Sequence, residues 1–195
     1  HTYRVYYEKY VGTDFKVPYL FFNPKLGASY QLNGRLKAYA TFAATSREPR
    51  LKNLYDAAEA STPSEWGPVR PQFRTHSDGR YDFTQPLVKE ETMYNWEAGA
   101  AYEDHRLQLG ANLYFMDFNN EIVKSGQLDR FGQPVTGNAE KTMHRGLELT
   151  ARWQPAPQWE LAANATFSKN ELVHHKQYTW DGVDVLDGHR IAGFP

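Results

Sequence analysis

Trp159-Glu160-Leu161-Ala162-Ala163-Asn164-Ala165-Thr166-Phe167-Ser168 alternates with a strict period of two. Trp159, Leu161, Ala163, Ala165 and Phe167 fall on one side; Glu160, Ala162, Asn164, Thr166 and Ser168 fall on the other. Successive side chains of a strand point to opposite faces of its sheet, so this segment carries one apolar and one wet face. The apolar face begins and ends on an aromatic. About ten tilted residues cross a bilayer, and aromatic girdles at both interfaces mark the wall of a transmembrane β-barrel.

The same alternation recurs in pairs joined by short turns. Lys25 to Leu32 sets Leu26, Ala28, Tyr30 and Leu32 on one face, and Asn33-Gly34 follows as a hairpin signal, both residues tolerating positive φ. Arg35 to Thr45 then carries Leu36, Ala38, Ala40 and Phe42. Tyr94 to Tyr102 and Leu107 to Met116 form a second pair around Glu103-Asp104-His105-Arg106. Leu147 to Trp153 leads through Gln154-Pro155-Ala156-Pro157-Gln158 into the strand quoted first. The other connections, residues 47–92, 124–142 and 169–195, are long, polar and rich in Gly and Pro, and read as loops. Short turns on one side and long loops on the other are the asymmetry of outer-membrane barrels, whose short turns face the periplasm. The residues expected to face lipid are Leu36, Ala38, Ala40, Phe42, Trp96, Leu109, Leu113, Phe115, Leu149, Trp153, Trp159, Leu161 and Phe167.

Composition agrees. A formal net charge of −1 over 195 residues offers no basic excess for neutralising phosphates, which argues against nucleic-acid binding. A mean hydropathy of −0.71 does not exclude a membrane, since every second residue of a barrel strand faces water. There is no cysteine, which removes disulfides, thiolate metal sites and cysteine nucleophiles. The chain opens on His1-Thr2-Tyr3-Arg4 and stops on Phe194-Pro195 after a loop-like stretch. Residues 1–195 are therefore expected to be a fragment of one β-barrel domain in a longer polypeptide.

Motifs for catalysis are missing: no GxSxG, HExxH, P-loop or GxGxxG occurs. No catalytic residue, cofactor or metal is expected. Glu97, Glu148 and Glu160 lie on wet faces and read as lumen-facing residues. His174-His175 and His189 invite a metal reading, but adjacent residues of an extended segment point apart. Asp181, Asp184 and Asp187 lack calcium-loop spacing, and the Asn164-Ala165-Thr166 sequon lies inside a strand.

Several longer motifs resemble a known family. Phe22-Asn23-Pro24-Lys25-Leu26-Gly27-Ala28-Ser29-Tyr30, Tyr39-Ala40-Thr41-Phe42-Ala43-Ala44-Thr45-Ser46-Arg47-Glu48-Pro49, Glu91-Thr92-Met93-Tyr94-Asn95-Trp96-Glu97-Ala98-Gly99, Asp117-Phe118-Asn119-Asn120-Glu121-Ile122 and Arg145-Gly146-Leu147-Glu148-Leu149 are similar to the barrel of TonB-dependent outer-membrane receptors. The resemblance implies an all-β, antiparallel, up-and-down transmembrane barrel in the bacterial outer membrane. Such plugged transporters have 22 strands, of which this chain would supply about six. It also implies uptake of a scarce nutrient, an iron–siderophore complex first among them, with energy from TonB acting through a plug absent here. Outer-membrane lipid is the other partner. In the stretch from Arg47 to Thr92, Arg47, Arg50, Trp66, Arg70, Arg74, His76 and Tyr81 suit capture of an anionic, ring-bearing ligand such as a ferric siderophore. The alternative is a secreted, soluble all-β module that binds carbohydrate or hydrolyses glycosides. In it Leu109, Leu113, Leu149 and Leu161 would form an inner core instead of facing lipid.

Overall fold

The computed structural model describes residues 2–8, 13–55, 71–128, 134–179 and 182–191. Chain order begins with a hairpin of β1 (Thr2–Glu8) and β2 (Thr13–Tyr19), then β3 (Lys25–Gln31) and β4 (Leu36–Arg47). One helical turn, α1 (Leu51–Leu54), precedes β5 (Phe73–Thr75) and β6 (Tyr81–Pro86). The long strands β7 (Glu91–Glu103), β8 (Leu107–Leu128), β9 (Pro134–Ala156) and β10 (Trp159–His174) follow, and β11 (Lys176–Thr179), β12 (Gly182–Val185) and β13 (His189–Arg190) end the chain. The main sheet has seven strands in the order β13-β10-β9-β8-β7-β4-β3, each paired antiparallel with its neighbours. It is an up-and-down meander, open at β3 and β13, and represents part of a barrel wall.

Register turns each strand's alternation into rows across the sheet. On one face, Ala28, Ala40, Ala98, Leu113, Leu147 and Phe167 align, as do Tyr30, Ala38, Ala100, Ala111, Leu149 and Ala165. The row nearest the short turns holds Leu107, Trp153 and Leu161; the row at the far end holds Phe42, Trp96 and Phe115. From Leu107 to Phe115 is about 27 Å of strand, and at a barrel tilt of 35–45° this covers about 20 Å along the membrane normal. That approaches the ~25 Å apolar band of outer-membrane barrels. Leu113, Leu161 and Phe167 remain 59%, 52% and 63% exposed, where a soluble sandwich would pack them beneath a second sheet.

The short turns differ from the expected Asn-Gly geometry. Neither Asn33 nor Gly34 has positive φ; among the described residues, Asn120, Gly79 and Gly188 do. The connection is instead a side-chain-closed turn. Asn33 Oδ1 accepts from the backbone N–H of Arg35 at 2.9 Å and of Leu36 at 3.0 Å. Asp104 repeats the device: its Oδ1 accepts from Arg106 N–H at 2.8 Å while its own N–H donates to Leu107 O at 2.8 Å. An Asx side chain can thus replace the left-handed backbone that the dipeptide suggested.

The long connections are also more ordered than read from sequence. Residues 124–142 were expected as a loop, yet β8 runs 22 residues to Leu128 and β9 runs 23 residues from Pro134. Outside the bilayer no lipid demands a continuous apolar face, so the period-two signal ends while the ladder continues. The expected loop at 169–195 likewise contains the end of β10 and all of β11, β12 and β13. In the stretch after Arg47, α1 and the β5–β6 hairpin close on β2 around Phe15, Val17, Leu54, Tyr55, Phe73 and Val88. Phe15 stacks on Phe83 at 5.7 Å between ring centroids and meets Phe73 at 4.9 Å. This is a small hydrophobic core of its own.

Candidate functional site

Of the residues expected to face lipid, all but Leu36, Leu109 and Trp159 fall in the rows just described; Leu36 and Leu109 share a further row with Tyr102, Ala151 and Ala163, and Trp159 lies at the edge beside the last short turn. The opposite face is polar and close-fitting. Tyr39 stands directly opposite Gly99, and Tyr114 directly opposite Gly146. A methyl on Gly99 would lie 2.5 Å from Tyr39 Cζ, and one on Gly146 would lie 2.7 Å from Tyr114 Cζ. Each tyrosine therefore folds down over a bare backbone. Tyr39 Oη donates to Asn112 Oδ1 at 3.0 Å, and Asn112 Nδ2 donates to Glu148 at 3.2 Å. Asn95 Nδ2 donates to Glu97 at 2.6 Å, and Arg152 pairs with Glu160 at 3.7 Å. The three glutamates expected on wet faces are all there, each engaged by a polar neighbour.

Toward the long-loop end, β8 makes a local break that sequence reading passed over. Asn120 sits at φ 56°, a left-handed conformation that Asn tolerates better than most residues. Asn138 steadies it, donating from Nδ2 to Asn120 O at 2.7 Å and accepting from Lys89 N–H at 2.8 Å. The Ile122 N–H donates to Glu91 Oε2 at 2.8 Å. Glu121, re-aimed by the break, accepts from the Thr142 hydroxyl and meets His144 Nε2 at 3.0 Å. His144 Nδ1 lies 2.9 Å from Asn170 Oδ1. Glu91, Glu121, Thr142 and His144 are all buried, and burial is tolerable because each is paired. The Asn119-Asn120 pair was the available signal.

The expected ligand residues divide into groups. Arg47 is tied to Glu91, with Nε 2.7 Å from Oε1 and Nη2 3.1 Å from Oε2. Arg47 and Arg50 share a hollow of about 400 Å³ with Asn53, Lys124 and Thr136. Asn53 Nδ2 donates to the Thr136 hydroxyl, fastening α1 to β9. Arg74 and His76 are exposed on the β5–β6 hairpin, where His76 N–H donates to Arg80 O at 2.8 Å. Tyr81 is half-buried with its ring 6.2 Å from that of Phe83, so it serves the small core. Trp66 and Arg70 lie outside the described residues, as does Asp181. His174 is bracketed by Glu140 at 3.0 Å on Nε2 and Asp187 at 3.1 Å on Nδ1, which occupies both ring nitrogens. Among the described residues, no group of three or more His, Cys, Asp or Glu side chains could hold a metal ion.

Comparison with known proteins agrees with this geometry. The family model described as "TonB dependent receptor-like, beta-barrel" matches residues 2–195. The pesticin receptor of Yersinia enterocolitica is 26% identical over 111 residues, 57% of this chain. This match spans only 15% of that receptor's length. Among solved structures, the siderophore receptor PirA from Pseudomonas aeruginosa matches with a TM-score of 0.52 and 20% identity, over 76% of this chain and 25% of that one. The FrpB iron transporter from Neisseria meningitidis matches with a TM-score of 0.54 and 19% identity, over 82% of this chain and 21% of that one.

Proposed function

The chain belongs to the TonB-dependent receptor β-barrel family, whose members are outer-membrane proteins, and on that premise we propose that it forms part of the barrel of a receptor importing an iron–siderophore complex. The apolar rows face outer-membrane lipid, and the Tyr39–Asn112–Glu148 side lines the lumen. A plug supplied by the rest of a longer polypeptide fills that lumen and receives energy from TonB. No bond is made or broken in the ligand: the receptor binds and releases, and is not an enzyme.

The observation that carries the ligand class is the hollow at the long-loop end. Arg47, Arg50 and Lys124 line it against a single acid, Glu48, and α1 is held over β9 beside it. Convergent cations suit the anionic donor groups with which siderophores chelate iron. PirA, a siderophore receptor, and FrpB, an iron transporter, support the same class by their names.

The test is titration of the full-length receptor with ferric catecholate, hydroxamate and carboxylate complexes, alongside growth of a deletion strain under iron limitation. Tight binding of one class, with growth on that complex lost in the deletion, is the expected result. Binding of none, with unimpaired growth on all, overturns the reading.

A further inference from the structure

We propose that the lipid face of β9 and β10 carries a site for a phosphorylated membrane lipid, with Lys141, Arg145 and Lys169 on its headgroup and an apolar hollow below them for an acyl chain. The register is the first ground. The row that is aromatic on β4, β7 and β8, as Phe42, Trp96 and Phe115, becomes Arg145 on β9 and Lys169 on β10. Lys141 lies on the same face nearer the long-loop end, in register with Asn119. Cations on a lipid-facing surface are costly unless they meet headgroups at the interface.

The arrangement of charge is the second ground. Arg145 Nη2 lies 3.3 Å from Glu171, Lys169 Nζ 2.6 Å from Glu171, and Lys141 Nζ 3.1 Å from Asp117. The two carboxylates are tucked in, their side chains 14% and 24% exposed, whereas the three cations are 44–51% exposed. Acid therefore anchors base from beneath, and the surface offered outward is positive. Arg190 of β13, in register with Glu171, adds a fourth cation against two carboxylates. An anionic phosphate complements this cluster; a neutral headgroup gains nothing from it.

Below it lies an apolar hollow of about 500 Å³, floored by alanines such as Ala111, Ala151 and Ala163 and walled by Leu36, Leu109 and Leu149. The small side chains between those leucines leave the room. From Ala111 to Phe115, beside Arg145, is about 13 Å along the strand, within reach of one acyl chain hanging from a bound headgroup.

The experiment uses the full-length receptor, purified from outer membranes in neutral detergent, and measures retained phosphorylated lipid per protein by mass spectrometry. Each cation near an anionic surface is worth roughly a five-fold change, so Arg145→Gln with Lys169→Gln should lower retention by more than ten-fold. Arg152→Gln, on the lumen face, should leave it unchanged. Heat-dependent gel mobility establishes that each variant is folded; should the double variant fail that test, Lys141→Gln alone is read in its place. In phosphatidylcholine vesicles, added lipid A should raise the unfolding temperature of the wild type and not of the variant. Wild-type retention in the folded variant, an equal loss in Arg152→Gln, or a wild type carrying no phosphorylated lipid overturns the proposal.

Discussion

The ring of Tyr39 lies across the backbone of Gly99, its direct partner on the neighbouring strand, and its hydroxyl reaches over β7 to Asn112 on β8. One side chain thus ties three adjacent strands on the lumen face. The fit is tight from both sides, since a methyl on Gly99 would also stand 2.6 Å from the Ala111 carbonyl oxygen. Glycine is required here by space, not by backbone dihedral.

Gly99→Ala should therefore destabilise the barrel by about 1–3 kcal/mol, the range for overpacking a close-fitted site. Combining it with Tyr39→Ala removes the ring but leaves the Ala111 carbonyl, so recovery should be partial. Urea unfolding of the full-length receptor in detergent reads both; full recovery in the double variant would mean that the ring alone demands glycine.

Leu113 lies midway along the apolar face that we assign to lipid, and Leu113→Arg should then cost about 2–4 kcal/mol of barrel stability. Its neighbour Asn112 points to the lumen, and Asn112→Arg should cost markedly less. Unfolding in lipid vesicles distinguishes them, and equal losses would contradict the assignment of faces.

Glu91→Ala removes the partner of Arg47 and the acceptor for the Ile122 N–H together. A lost charge-assisted bond and an orphaned amide predict about 1–3 kcal/mol of local destabilisation at the long-loop end. Hydrogen exchange should accelerate at Ile122 and its neighbours while β7 near Gly99 keeps its protection. Unchanged exchange at Ile122 would show that the break in β8 is held by other contacts.

Asp104 supplies a pH dependence. The Arg106 backbone N–H holds its carboxyl below the ordinary value of 3.8, with His105 and Arg35 adding smaller pulls. A depressed folded value contributes stability that is full above the unfolded value and is lost as pH falls through the folded one. Wild type should therefore exceed Asp104→Ala in unfolding temperature at neutral pH, and the gap should narrow as pH falls below the ordinary carboxylate value. A gap independent of pH would assign the turn's stability to backbone bonds alone.

The strand pairs and their two faces were legible because a bilayer imposes a strict period of two on whatever crosses it. Trp159 to Phe167 and Leu107 to Phe115 could be assigned without knowing a single neighbour. The reading weakened where that constraint stopped. Residues 124–128 and 134–142 continue the ladder without an apolar–polar alternation, so nothing in their pattern separates them from loop. Asn33-Gly34 pointed correctly to a turn, but the side-chain oxygen of Asn33, not positive φ, closes it.

The sequence by itself determined the class of wall and the apolar and polar faces of its strands, because each follows from side chains two apart on one strand. Only the tertiary structure decided what meets across strands. It placed Tyr39 over Gly99, gathered Arg47 and Glu91 with the break at Asn120, and set Arg145 and Lys169 in line with Phe115. Those partners lie tens of residues apart in the chain, and their pairing depends on register, which turn geometry and ladder hydrogen bonds fix and local alternation does not encode.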